Sequence, residues 1–126
     1  MPTVQAFALQ SRVAGQYDSA LVNVNKLDGQ TVVVQGSLNA PQRDDPNFKI
    51  TTLVMGTTDP SGPAPENSLV ELQKEEFWGG NVGHNGVPLQ PGFSYSSAAV
   101  PPGIVRLMLR IITNADATWG FSVTVP

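Results

Sequence analysis

The sequence predicts an all-β domain: a two-layer antiparallel β-sandwich, with jelly-roll-like topology favoured. Three observations lead there. Short segments of alternating apolar and polar residues recur along the chain, the period-two signature of half-buried strands. Twelve glycines and 11 prolines punctuate them, which suits many short strands better than long helices. Finally, 40% of the 126 residues are apolar, enough for a single domain over residues 1–126 to bury a core. Each strand then has an apolar side to cover, and two stacked sheets cover both sets at once. An immunoglobulin-like order or a small barrel satisfies the same pattern.

The elements follow in chain order. TVQAFAL reads as a strand through Leu9, with Val4, Ala6 and Ala8 on one side and Gln5, Phe7 and Leu9 on the other; a short helix is the alternative. After Gly15, ALVNVN alternates cleanly, with Ala20, Val22 and Val24 on one face. Asp28-Gly29 supplies a turn, because this pair tolerates left-handed backbone. TVVVQGSL then places Val32, Val34 and Leu38 inward and Gln35 and Ser37 outward. These two segments form the best local hairpin candidate in the chain.

NAPQRDDPNF is a polar loop, since Pro41 and Pro46 cannot serve a central strand. FKITTLVM resumes the β pattern with β-branched residues. GTTDPSGPAPEN, with three prolines and two glycines, is the clearest loop. SLVELQKEEFW supports two readings. Ser68 and Glu71 have capping-box spacing for a helix, while Val70, Leu72 and Lys74 share a strand face; the β context selects the strand. VPLQPGFSYSSAAVPPG is extended and turn-rich. IVRLMLRIIT is the strongest strand, with Val105, Leu107, Leu109 and Ile111 on its apolar face and Arg106, Met108 and Arg110 opposite. NADA turns the chain into TWGFSVTV, where Trp119, Phe121, Val123 and Val125 face one way and Gly120, Ser122 and Thr124 the other. The total is about seven or eight strands, with hairpin-like and longer crossing connections.

Charge narrows the partners. Lysine and arginine number seven, dispersed from Arg12 to Arg110, and the net charge is -3. No basic cluster tracks a phosphate backbone, so no nucleic-acid partner is expected. With no cysteine, disulfides, thiolate catalysis and zinc–thiolate sites are excluded. MPTVQAFALQ lacks the pattern of a signal peptide, and no apolar run is long enough for a transmembrane helix, so no membrane insertion is expected.

FWGGNVGHNG is the stretch that invites a functional reading. It holds Trp78 and the chain's single histidine, His84. Its glycines match neither the dinucleotide spacing nor a phosphate loop, and no apolar helix follows. His84 has no G-x-S-x-G serine motif in the chain to activate. A small hydrolase would need His84 to meet a carboxylate from elsewhere. The pair Glu75-Glu76 does not supply a shared cleft, because neighbouring strand residues point to opposite faces. Asp44-Asp45, with Asp28, Asp59 or Asp116, has the oxygen chemistry of a calcium site but no EF-hand pattern. A solvated charge cluster is the better reading of these residues, and neither metal nor cofactor is expected.

Trp78 with Asn81, His84, Asn85 and Gln90 makes a coherent ligand site instead. An indole covers the apolar face of a sugar, and amides satisfy its hydroxyls. The favoured expectation is thus a non-enzymatic module binding a neutral, hydroxyl-rich ligand, carbohydrate in kind. The competing reading of the residues is that Trp78 packs inward and the glycines let the loop turn around it. The alternative function is a structural or assembly protein, forming a homo-oligomer or part of a larger particle through its shape.

Overall fold

A computed structural model describes residues 3–23, 29, 31–39, 45, 47–62, 65–80, 92–97 and 99–124. Most of the alternating segments become strand, although residues 20–25 do so only at Val22–Asn23 among those described. Among the described residues the strands are β1 (Thr3–Arg12), β2 (Gly15–Asp18), β3 (Val22–Asn23), β4 (Val33–Asn39), β5 (Lys49–Thr57), β6 (Val70–Trp78), β7 (Gly92–Ser96), β8 (Arg106–Thr113) and β9 (Ala117–Thr124). The first sheet has the order β1-β9-β4-β7 and the second β2-β8-β5-β6, with β3 also pairing to β8. All pairings are antiparallel. The chain therefore passes repeatedly between the sheets, and among the described strands only β5–β6 is a hairpin of consecutive strands within one sheet. This is a jelly-roll sandwich.

The expected hairpin of residues 20–25 with 30–35 is not formed by its described residues. Val22 pairs with Leu107 in the second sheet, whereas β4 lies between β9 and β7 in the first. Alternation says which face of a strand is buried, not which strand lies beside it. The turn chemistry survives in part: Gly29 has φ +76°, the left-handed geometry expected there. Within the segment 68–78 the strand is Val70–Trp78, preceded by a 3-10 turn over Glu66–Ser68 where the helix reading had placed its cap.

β1 runs past Leu9 to Arg12, and its alternation is broken by register shifts after Gln5 and Phe7. Ala6 and Phe7 both pack against the core as a result. Gly120 sits under this irregularity; a Cβ there would lie 2.8 Å from the Leu9 backbone nitrogen. Between β2 and β3 a side chain substitutes for ladder bonding. Leu109 N donates to Ser19 Oγ, and Ser19 N to Leu109 O, each at 2.9 Å.

The core lies between the sheets. Val34, Leu38, Trp119 and Phe121 meet Ile50, Val54, Leu109 and Ile111. Trp119 is fully buried and takes edge contacts from Phe7 at 5.2 Å and Tyr17 at 5.5 Å. Phe77 of the second sheet meets Phe93 of the first at 4.5 Å. Thr52 Oγ1 lies 2.6 Å from Tyr95 Oη, bridging the sheets with a polar contact. Burial pushes the Tyr95 phenol well above its ordinary pKa, so it stays neutral. Among the described residues no helix is long and apolar enough to cross a membrane.

Candidate functional site

Trp78 ends β6 opposite Lys49 of β5. Phe77 takes the inward place, so Trp78 lies on the outer face of the second sheet, half-buried. Its ring carries the Lys49 ammonium 5.1 Å from the centroid, and Lys49 also pairs with Glu76. That pairing holds the Glu76 carboxyl below its ordinary pKa. The chain then leaves the strand: Gly79 N donates to Phe48 O at 2.8 Å, and Gly80 has φ +62°. Asn81, His84, Asn85 and Gln90 lie outside the described residues, as do Asp28 and Asp44. Glu75 and Glu76 diverge as alternation requires: Glu75 takes a 2.7 Å bond from Gln73 Nε2, while Glu76 meets Lys49. Among the described residues, no three His, Cys, Asp or Glu side chains are grouped to hold a metal.

The face of β8 opposite its apolar side, which carries Arg106, Met108 and Arg110, is not left to solvent. Both arginines are buried, and so are Leu53, Met55 and Met108, against which Leu21 and Leu69 pack. The cover comes from the described part of the loop between β5 and β6, residues 58–62 and 65–69. Arg106 Nε donates to Asp59 O at 2.7 Å, and its Nη1 to Gly62 O at 2.8 Å. Arg110 holds Glu66 of the 3-10 turn on one side and Asp18 of β2 on the other, with Nε–Oδ1 at 2.8 Å. Hydrogen bonds to Glu66 and then Asp18 raise the Arg110 pKa further. The loop thus acts as a strap over the Arg106–Arg110 part of this face, while Ile112 and the Lys49–Trp78 end stay open.

The outer face of the first sheet is its opposite. Its cross-strand register aligns Ser94, Gln35, Ser122 and Gln5 in one row over all four strands. The adjacent rows are Ser96-Val33-Thr124-Thr3 and Gly92-Ser37-Gly120. Beyond these, Asn39 pairs with Thr118, and Thr118 with Ser11. Hydroxyls bond across the strands, Thr3 to Thr124 at 2.9 Å and Ser11 to Thr118 at 2.7 Å. A shallow concavity of about 500 Å³ crosses this face, bounded by Gln5, Leu9, Gln35, Ser94 and Ser122.

The single charged residue on these four strands is Arg12. It leaves the face: its guanidinium sits 4.1 Å above the buried Trp119 ring and donates to Ala8 O and Trp119 O. Burial lowers its pKa, yet those carbonyls and rings satisfy the cation. The strands of the second sheet, by contrast, carry Asp18, Lys49, Glu71, Lys74, Glu75, Glu76, Arg106 and Arg110. Most residues of the neutral face were readable as outward positions of their own strands. Strand order was needed to assemble them into one surface.

No protein-family model and no curated protein matches the chain. Among solved structures, the infectious bursal disease virus VP2 subviral particle aligns with a TM-score of 0.50 and 9% identity, over 98% of this chain and 32% of that one. The Gx strain structure of the same virus aligns with a TM-score of 0.46 and 9% identity, over 98% of this chain and 31% of that one. The chain spans about a third of the length of these structures. The VP2 likeness is one of fold.

Proposed function

We propose that this chain is a non-catalytic structural module that assembles with copies of itself, or into a larger particle. The observation that carries the reading is the uncharged outer face of the first sheet. An exposed sheet face ordinarily mixes charges of both signs, which keep it solvated and apart from other sheets. Here the charged strand residues lie on the second sheet, apart from Arg12, which turns away over Trp119, leaving an outer face of mostly neutral donors and acceptors. The jelly-roll fold shared with a chain of a viral subparticle agrees with this reading at the level of fold. Sedimentation velocity and electron microscopy, from micromolar to millimolar chain, test it. Discrete oligomers or particles are expected; a monomer at every concentration rejects the assembly reading.

A second reading keeps the hydroxyl-rich ligand at Trp78, with Asn81, His84, Asn85 and Gln90 as its polar contacts. It is supported by the position of Trp78 outside the core, where the residue is only half-buried. Lys49 competes for one ring face. A panel of neutral oligosaccharides titrated against Trp78 fluorescence decides. No saturable change for any of them removes this reading.

A further inference from the structure

We propose that the outer face of the first sheet is a self-association surface, which docks against the same face of a second copy across a two-fold axis. The proposal rests on the assembly reading and names its partner and geometry. Three features select a second copy.

The first is charge. Copies with net charge -3 repel one another on average, and the cost is least where a face carries no charge. The rows centred on Gln35 and Ser122 meet that condition. The second is hydrogen-bond chemistry. Amides and hydroxyls both donate and accept, so a Gln/Ser/Thr surface is complementary to itself, which a surface of one charge cannot be. The third is shape. A twisted sheet is a saddle, and a saddle fits its own copy across a two-fold axis lying in the sheet plane. The concave diagonal of one face receives the convex diagonal of the other. The small side chains at Ser37, Ser94 and Ser122 allow the faces to approach.

A sugar is the competing neutral occupant, and aromatic placement disfavours it. Of the rings that border the concavity, Phe121 is buried and Phe7 and Phe93 are half-buried against the core, so this face offers a sugar little ring surface to stack on. Strand spacing and rise give a projected footprint of about 19 by about 24 Å. That is small beside the ~800 Å² that each partner buries in a stable complex. The contact is accordingly weak alone and gains strength where each subunit makes several contacts.

Sedimentation equilibrium on the wild type, Gln35→Glu, Gln35→Lys and their equimolar mixture tests this. Gln35 lies at the centre of the face, so an isologous contact brings like charges together. Each variant alone is expected to associate about tenfold more weakly or worse, and the mixture to recover toward the wild-type constant. Thermal melts close to the wild type confirm folding, since the Gln35 side chain is exposed. If Gln35→Glu does not fold, Ser94→Glu and Ser94→Lys on edge strand β7 replace the pair.

Variants that associate like the wild type overturn the proposal and leave assembly through another surface standing. Weakening in both variants without recovery in the mixture also overturns it, because the face then meets something other than itself. A neutral oligosaccharide that binds the wild type and loses Gln35→Glu overturns it in favour of a ligand. A wild type that stays monomeric to millimolar chain removes both this proposal and the assembly reading.

Discussion

Arg110 and Glu66 meet through two parallel hydrogen bonds, Nη1 to Oε1 at 2.7 Å and Nη2 to Oε2 at 2.8 Å. The same guanidinium reaches Asp18 through Nε, so one buried side chain joins β2, β8 and the strap. Replacing Arg110 by alanine removes these charged bonds and uncovers part of the Leu53-Met55-Met108 cluster. Both carboxylates remain solvated, which limits the loss to about 1–3 kcal/mol. Arg110→Lys is expected to recover a part only, because an ammonium cannot present two parallel donors to each of two carboxylates. Urea denaturation of the three proteins checks the order.

Acid should loosen the same strap. The Arg110 hydrogen bonds hold the Glu66 carboxyl below its ordinary pKa. A depressed folded-state pKa contributes stability above the unfolded value, near ~4.3, and that stability disappears as pH falls through the folded value. Denaturation midpoints should therefore decline on acidification below about pH 4. Glu66→Gln should start lower and show a shallower acid limb. An identical acid limb in the two proteins would remove Glu66 from the account.

How much of this was legible in the sequence depends on the range of the interaction. Period-two alternation in β4, β8 and β9 places Val34, Leu109 and Trp119 inward, because a strand's own geometry fixes that pattern. The hairpin between β3 and β4 failed for a matching reason: its evidence was local, while the true partners are Leu107 for Val22 and Phe121 for Gly36. The burial of Arg106 and Arg110 was hidden likewise. An arginine flanking Met108 on an outward face reads as solvent-exposed until a distant loop supplies Asp59, Gly62 and Glu66. For Trp78, alternation with Phe77 contained the outward orientation, but aromaticity alone did not reveal the Lys49 cap.

Gly36 and Gly92 should respond oppositely to the same change. A Cβ at Gly36 would lie 2.6 Å from Phe121 Cε1 and 2.7 Å from Phe93 Cζ, inside the sandwich where rings already touch. Gly36→Ala is expected to cost about 1–3 kcal/mol by overpacking. A Cβ at Gly92 meets nothing within 4 Å, so Gly92→Ala should change stability by less than about 0.5 kcal/mol. Paired thermal melts separate the two. Equal effects would mean that the rings yield to an added methyl at Gly36.

The two tryptophans provide independent probes of the two sheets. Trp119 is fully buried among Phe7, Tyr17 and Phe121, with Arg12 over its ring. Trp78 is half-buried beneath Lys49. Trp78→Phe should leave a blue-shifted emission that acrylamide scarcely quenches, because nothing admits the quencher to the core. Trp119→Phe should leave a redder, quenchable emission and lower stability, since the smaller ring leaves a void. Lys49→Ala should increase quenching of Trp78 and cost about 0.5–1 kcal/mol from the lost cation–π contact. A Trp78 signal that quenches equally with and without Lys49 would show that the ammonium does not shield the ring in solution. The indole face would then be open to a ligand.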